Sequence, residues 1–132
     1  MDRLKERLEV AQRALLTLQE AVTLPHPDAF QRDAALQRFE YTFEATWKAA
    51  QLFLSEIEGK AAGSPKSVIR SSREVGLLDD AQTSAALGMA DDRNLTVHTY
   101  IETLAQQIHG RLSGHLSLLT VWLGAMAARA SG

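Results

Sequence analysis

Apolar residues return at alternating steps of four and three along the first segment of this 132-residue chain. They are Leu4, Leu8, Ala11, Leu15, Leu18 and Val22. Because a helix turns once every 3.6 residues, this spacing puts all six on one face of an amphipathic helix. Sustained two-residue alternation, which a half-buried strand requires, is found in no segment of the sequence. The chain is therefore predicted to fold from helices alone.

Local signals predict where the helices begin and end. The predicted ends are marked by proline, glycine or the last apolar residue of a stripe, at Pro25, Gly59, Gly76 and Leu95. The predicted starts are marked by capping residues, at Asp28, Ser64, Asp79 and Thr99. The last of these, Thr99-Tyr100-Ile101-Glu102, has the pattern of a capping box. Three long helices, a medium one and a short one predict an all-α, up-and-down four-helix bundle with an extra short helix.

Composition places the chain among ordinary globular proteins and limits its partners. Its length fits one domain, residues 1–132, and 45% of the residues are hydrophobic. The net charge of −2 excludes a global basic field, so binding of RNA or a nucleotide would need a local site. The absence of cysteine excludes disulfides and thiolate chemistry, and no metal-ligand spacing is found, so no cofactor is expected. No apolar run approaches membrane-spanning length, and we expect a cytoplasmic protein without a membrane partner.

The residues best suited to chemistry lie together near position 95. Within eight residues the chain carries the guanidinium of Arg93, the amide of Asn94, the imidazole of His98 and the phenol of Tyr100. Arginine binds phosphate oxygens through a planar fork of donors, and histidine transfers protons near neutral pH. A helix break at Thr99 would let these side chains converge on a phosphate-handling site. In the other interpretation, Arg93 pairs with Asp91, Asp92 or another surface carboxylate, and His98 only ends a helix.

A second segment combines aromatic and charged residues. Phe39, Phe43 and Trp47 recur every four residues and are predicted to form a ridge in the core. Glu44 and Lys48 lie beside this ridge and either belong to a solvated face or border a cavity or subunit interface. His109 and His115 are six residues apart on one predicted helix, and we interpret both as surface or filling residues.

Three segments resemble a known family when they are taken in order: residues 37–48, 64–70 and 92–100. They are similar to the nucleotidyltransferase substrate-binding proteins, a branch of the HEPN helical-bundle domains. The resemblance covers about the middle two-thirds of the chain. It implies a five-helix bundle that forms homodimers. It also implies a partner, a minimal nucleotidyltransferase encoded nearby.

The resemblance also implies roles for single residues. Toxin members of the family are metal-independent ribonucleases whose signature is arginine, four residues, histidine, one residue, tyrosine, which Arg93, His98 and Tyr100 match. By this resemblance Arg93 would bind the scissile phosphate and His98 would act in acid–base chemistry on the ribose 2′-hydroxyl. Tyr100 resembles the tyrosine that the partner adenylylates, and Asn94 occupies a polar position that many members share.

Two functions follow as expectations. The first is an accessory substrate-binding subunit of a minimal nucleotidyltransferase, not itself an enzyme. Its recognition or modification surface would be formed by Arg93, Asn94, His98, Tyr100, Glu44 and Lys48. The alternative is a metal-independent ribonuclease toxin that uses Arg93 and His98 and is neutralised by adenylylation of Tyr100. A purely structural helical adaptor is a third interpretation. The chain lacks the Asp-x-Asp carboxylates with which a nucleotidyltransferase would bind metal.

Overall fold

The computed structural model describes residues 2–131 and consists of helices joined by short connections. Their bounds are α1 Asp2–Val22, α2 Ala29–Ile57, α3 Pro65–Glu74, α4 Asp80–Leu95, a 3₁₀ turn Thr96–His98, and α5 Glu102–Ser131. The part of the chain so described contains no strand. The prediction of an all-α bundle with one extra short helix is confirmed.

Three predicted helix starts are confirmed by their capping boxes. Asp28 and Asp79 accept the backbone N–H of the residue three positions on, at 2.8 and 2.7 Å. The glutamine at that position in turn accepts the backbone N–H of the capping residue, at 2.9 Å in both boxes. At α3, Ser64 and Ser67 exchange the equivalent bonds and Pro65 occupies the first turn. Each box satisfies two backbone donors that a helix end would otherwise leave unpaired.

The fourth predicted start is wrong, because a cap at Thr99 requires the helix to begin at Tyr100, whereas α5 begins two residues later, at Glu102. After α4 the backbone tightens into the 3₁₀ turn, and the Thr99 hydroxyl donates to the carbonyl of Thr96 at 2.9 Å. This bond completes the preceding turn. Tyr100 and Ile101 consequently lie outside any helix, in the connection between α4 and α5.

The core is a single cluster to which all five α-helices contribute. Its largest fully buried side chains include Leu4, Leu18, Phe39, Phe43, Phe53, Ile69, Met89, Ile108 and Trp122. The short helix α3 packs on α2 and α4. It is also tied to α5, because the buried Trp122 donates its indole N–H to Ser72 at 3.2 Å. No helix of residues 2–131 combines the length and the apolar content that crossing a membrane would require.

The predicted aromatic ridge is correct for two of its three members. Phe39 and Phe43 are buried, but Trp47 is only partly buried and donates its indole N–H to Glu44. Steps of four residues drift about 40° each around a helix, so the third member is rotated about 80° from the first. The face that stays in the core instead continues with Ala50 and Phe53.

Candidate functional site

A buried carboxylate joins α4 to α5. The Asp92 side chain is 8% exposed and accepts two bonds of 2.8 Å from the guanidinium of Arg111 and one of 2.7 Å from His115 Nε2. The His115 ring stacks on Phe39 of α2 with 5.1 Å between centroids. His115 is therefore neither a surface nor a filling residue, and that interpretation is wrong. No local pattern indicated this pairing, since the partners are separated by the whole α4–α5 connection.

Opposing influences act on the ionisation of Asp92. Burial by itself would raise the pKa of this carboxyl group, because it disfavours the charged form. The hydrogen bonds from Arg111 and His115 outweigh burial, and the pKa of Asp92 is lowered from its ordinary value. The residue is thus a carboxylate at neutral pH, held by three charge-assisted bonds.

The next residue, Arg93 of α4, reaches across to a separate group of side chains on α2. We call the four residues the Glu44 cluster: Glu44, Trp47, Lys48 and Arg93. Glu44 Oε2 accepts from Arg93 Nη2 at 2.9 Å and from the Trp47 indole at 3.0 Å. Its other oxygen lies 3.3 Å from the Lys48 ammonium. Arg93 thus pairs with a distant carboxylate, whereas neighbouring Asp91 binds Lys66 at 2.6 Å.

The Glu44 cluster holds its carboxylate ionised. Burial raises the pKa of Glu44, but the bonds from Trp47 and Lys48 and the charge of Arg93 lower it by more. The pKa of Glu44 therefore falls below its ordinary value. Within residues 2–131, the buried Nε of Arg93 has no hydrogen-bond partner.

His98 and Tyr100 form a second group, in the connection between α4 and α5. The Tyr100 hydroxyl lies 3.5 Å from His98 Nδ1, and the rings meet edge to face with 6.0 Å between centroids. In the described chain no hydrogen bond or ion pair links Arg93 to either residue. The structure thus places Arg93 with Glu44 and Lys48, and His98 with Tyr100. Convergence of all three side chains on one pocket remains a prediction.

Asn94 lies between these two groups and is exposed. Together with Arg93 it lines a pocket of about 320 Å³ between α2, α3 and α4, whose other walls include Phe43, Pro65 and Lys66. The pocket therefore offers two cationic side chains and an amide. Across the described residues no group of three or more His, Asp or Glu side chains is arranged to hold a metal ion.

Exposed apolar side chains precede and follow His98 in the chain. We call this surface the 95–101 corner: Leu95, Val97, Tyr100 and Ile101, which are 38%, 68%, 81% and 48% exposed. Sequence reasoning named Tyr100 but missed the apolar neighbours. A signal was present, because Val97 and Ile101 fall outside the apolar stripes of both flanking helices. A contiguous apolar surface of this kind is typical of a binding site for a partner.

The fold and these surfaces define a helical-bundle binding protein, with a charged cluster on α2 and an apolar corner at one helix connection. The family model described as nucleotidyltransferase substrate binding protein like matches residues 6–128. The chain belongs to this family, and the resemblance seen in the sequence is confirmed. Members of this family are substrate-binding partners of a nucleotidyltransferase, and this is the function of the chain.

Solved structures agree with this assignment. A protein from Thermus thermophilus is 55% identical over 88% of this chain and 98% of its own, with a TM-score of 0.86. HI0074 from Haemophilus influenzae is described as having the fold of a substrate binding domain of a nucleotidyltransferase. It is 21% identical over 91% of this chain and 98% of its own, with a TM-score of 0.77.

A third structure is a mutant of the toxin–antitoxin MntA–HpeT. The matching chain is 15% identical in sequence. The match covers 97% of this chain and 99% of the other, with a TM-score of 0.81. At these identities the second and third structures support the fold alone. Comparison with curated protein sequences gave no match.

The Asp92 network predicts a pH-dependent loss of stability. Asp92→Asn should lower the free energy of unfolding by about 2 kcal/mol at pH 7, because it removes the charge that Arg111 and His115 bind. The pKa of Asp92 is lowered in the folded chain, so its contribution is complete above roughly pH 5 and is lost as the pH falls below roughly 4. Urea unfolding at pH 7, 5 and 3 should show that the difference in the free energy of unfolding between the variant and wild type decreases as the pH falls.

The matched control is Asp33→Asn on the exposed face of α2, expected to change stability by less than about 0.5 kcal/mol at any pH. The prediction would be contradicted if the loss of unfolding free energy in Asp92→Asn were the same at pH 3 as at pH 7. It would also be contradicted if this loss at pH 7 were no larger than that of the control.

Proposed function

We propose that this chain is the accessory subunit of a minimal nucleotidyltransferase encoded nearby and docks on that enzyme through the 95–101 corner. The observation that carries the proposal is the exposure of the Tyr100 ring, 81%, among the exposed side chains of Val97 and Ile101. Exposure of apolar side chains to water is unfavourable, so their burial together in an interface lowers the free energy. Membership of a substrate-binding family supports the same role.

Tyr100 is the group that we propose the partner modifies. Its phenol is accessible and stands 3.5 Å from His98 Nδ1, which in its unprotonated form can accept the phenolic proton. Transfer of AMP would form a bond between the phenolic oxygen and the α-phosphorus of ATP, while pyrophosphate leaves. The product carries added bulk and negative charge at the 95–101 corner, and this would alter what that surface can bind.

The Glu44 cluster and Asn94 are proposed to recognise the substrate. Glu44 neutralises Arg93 and Lys48 in the free chain. A phosphate, like a carboxylate, offers paired anionic oxygens and can replace it as partner of both cations. The exposed amide of Asn94 supplies a further donor on the residue that follows Arg93.

The alternative function is the ribonuclease toxin. The exposure of His98, with its ring free of other protein partners among the described residues except Tyr100, favours this activity. The MntA–HpeT complex, whose matching chain shares the fold, is described as a toxin–antitoxin pair. Cleavage without a metal needs a base, an acid and a cation at one position. One chain supplies a single His98 and a single Arg93, and this Arg93 is bound to Glu44. A homodimer that brings two such segments together would supply two of each.

Co-expression with the neighbouring transferase tests the accessory role. We expect the tagged chain to retain the transferase during purification and Val97→Asp to reduce the retained amount about tenfold or more, because a charge would be buried in the interface. Val121→Asp is the control, since Val121 is similarly apolar and exposed but lies on α5. Equal retention by Val97→Asp and wild type would contradict docking at the corner.

Expression of the chain alone, in the same strains, separates the two functions. The accessory role predicts normal growth, whereas growth arrest that His98→Ala abolishes would establish the toxin in its place.

Intact-mass spectrometry tests the modification. After incubation with the transferase and ATP, we expect the wild-type chain to gain the mass of one AMP and Tyr100→Phe to gain none. Tyr41→Phe is the matched control, because Tyr41 is the other tyrosine of the chain and is 42% exposed on α2. An unchanged wild-type mass, or a gain that persists in Tyr100→Phe, would count against Tyr100 as the acceptor.

A homodimer is proposed as the working state. Multi-angle light scattering at micromolar concentration should return twice the monomer mass of 14.5 kDa. The monomer mass under these conditions would overturn the proposal and would also leave the ribonuclease alternative without its second set of residues.

A further inference from the structure

A second positively charged cavity lies between α1 and α2, away from the 95–101 corner. It has a volume of about 320 Å³ and is walled by Arg3 and Arg7 of α1, by Lys48, Gln51 and Ser55 of α2, and by the connection at residues 61–62. It shares only Lys48 with the Glu44 cluster. Nothing in the proposed function uses the other residues of this cavity.

The cavity carries an excess of positive charge. Three cationic side chains line it, of which Lys48 is also paired with Glu44 outside the cavity, and none of its lining residues is a carboxylate. Arg3 and Arg7 are four residues apart and so lie on the same face of α1, where like charges repel each other. The Arg3 guanidinium reaches Glu56 only at 4.0 Å, and Arg7 forms no ion pair with any side chain that the structure describes. An anion between them would remove this repulsion.

The walls of the cavity are held in place without a ligand. The Gln51 amide donates to the carbonyl of Ala62 at 2.7 Å, which fixes the connection against α2. The backbone N–H of Lys60 bonds to the carbonyl of Leu54 at 2.8 Å and anchors the start of the same connection. A ligand would therefore enter a formed cavity and would need to order only the cationic side chains.

We propose that this cavity binds the phosphate groups of a small phosphorylated molecule. Guanidinium groups bind phosphate oxygens through paired N–H donors, and the Lys48 ammonium adds a point charge. The volume is at the lower end of ligand sites, so it suits a phosphate or diphosphate group rather than a whole nucleotide. The Ser55 side chain offers a hydroxyl at the cavity wall. The inference does not rest on the proposed function, because it needs neither the transferase nor Tyr100.

Isothermal titration of the full chain with inorganic pyrophosphate tests the site. We expect saturable binding of one pyrophosphate per chain that weakens about tenfold in Arg7→Gln, because one charge-assisted donor pair is lost. Arg13→Gln makes the same charge change on the same helix, at an exposed arginine outside the cavity, and should alter the affinity less than about twofold. Circular dichroism spectra identical to wild type will show that both variants are folded.

Competition identifies the source of the phosphate. Displacement of pyrophosphate by ATP indicates a nucleotide, displacement by a 5′-phosphorylated oligoribonucleotide indicates an RNA end, and displacement by neither indicates a free phosphate compound. Each of these results supports the site. Absence of saturable pyrophosphate binding, or equal weakening in Arg7→Gln and Arg13→Gln, would overturn it.

Discussion

The functional surfaces depend on the burial of one carboxylate, Asp92, between α4 and α5. A buried charge is tolerated only where it is paired and hydrogen-bonded, and here Arg111 and His115 provide both. This requirement favours one rotation of α4 about its axis within the packed core. The following residue, Arg93, projects about 100° further around the helix. It therefore faces α2 and reaches Glu44.

Two surfaces include residues near the C-terminal end of α4, the charged Glu44 cluster and the apolar 95–101 corner, and they suit different tasks. In the Glu44 cluster, one carboxylate serves as internal counter-ion to Arg93 and Lys48, so the two cationic side chains are held in position. The 95–101 corner exposes its apolar side chains, which favours contact with protein.

Much of the fold could be predicted from local patterns, and the failures share a cause. The capping boxes at Asp28 and Asp79 were predictable because their bonds span only three residues. The box at Thr99 has the same pattern, but the 3₁₀ turn uses the threonine hydroxyl for the carbonyl of Thr96. His115 was misjudged because its partner lies on another helix. The grouping of the candidate site residues was not predictable either, because Arg93 and Glu44 belong to different helices.

The sequence by itself determined the number and order of the helices, most of their ends and the family. Periodicity, caps and motifs depend on residues within one or two turns of each other, and these are adjacent whatever the rest of the chain does. Only the tertiary structure decided that Arg93 pairs with Glu44, 49 residues away, and that Val97 and Tyr100 stay in solvent. Those outcomes depend on how far each helix is rotated toward its neighbours, and that rotation is set by packing of the whole core.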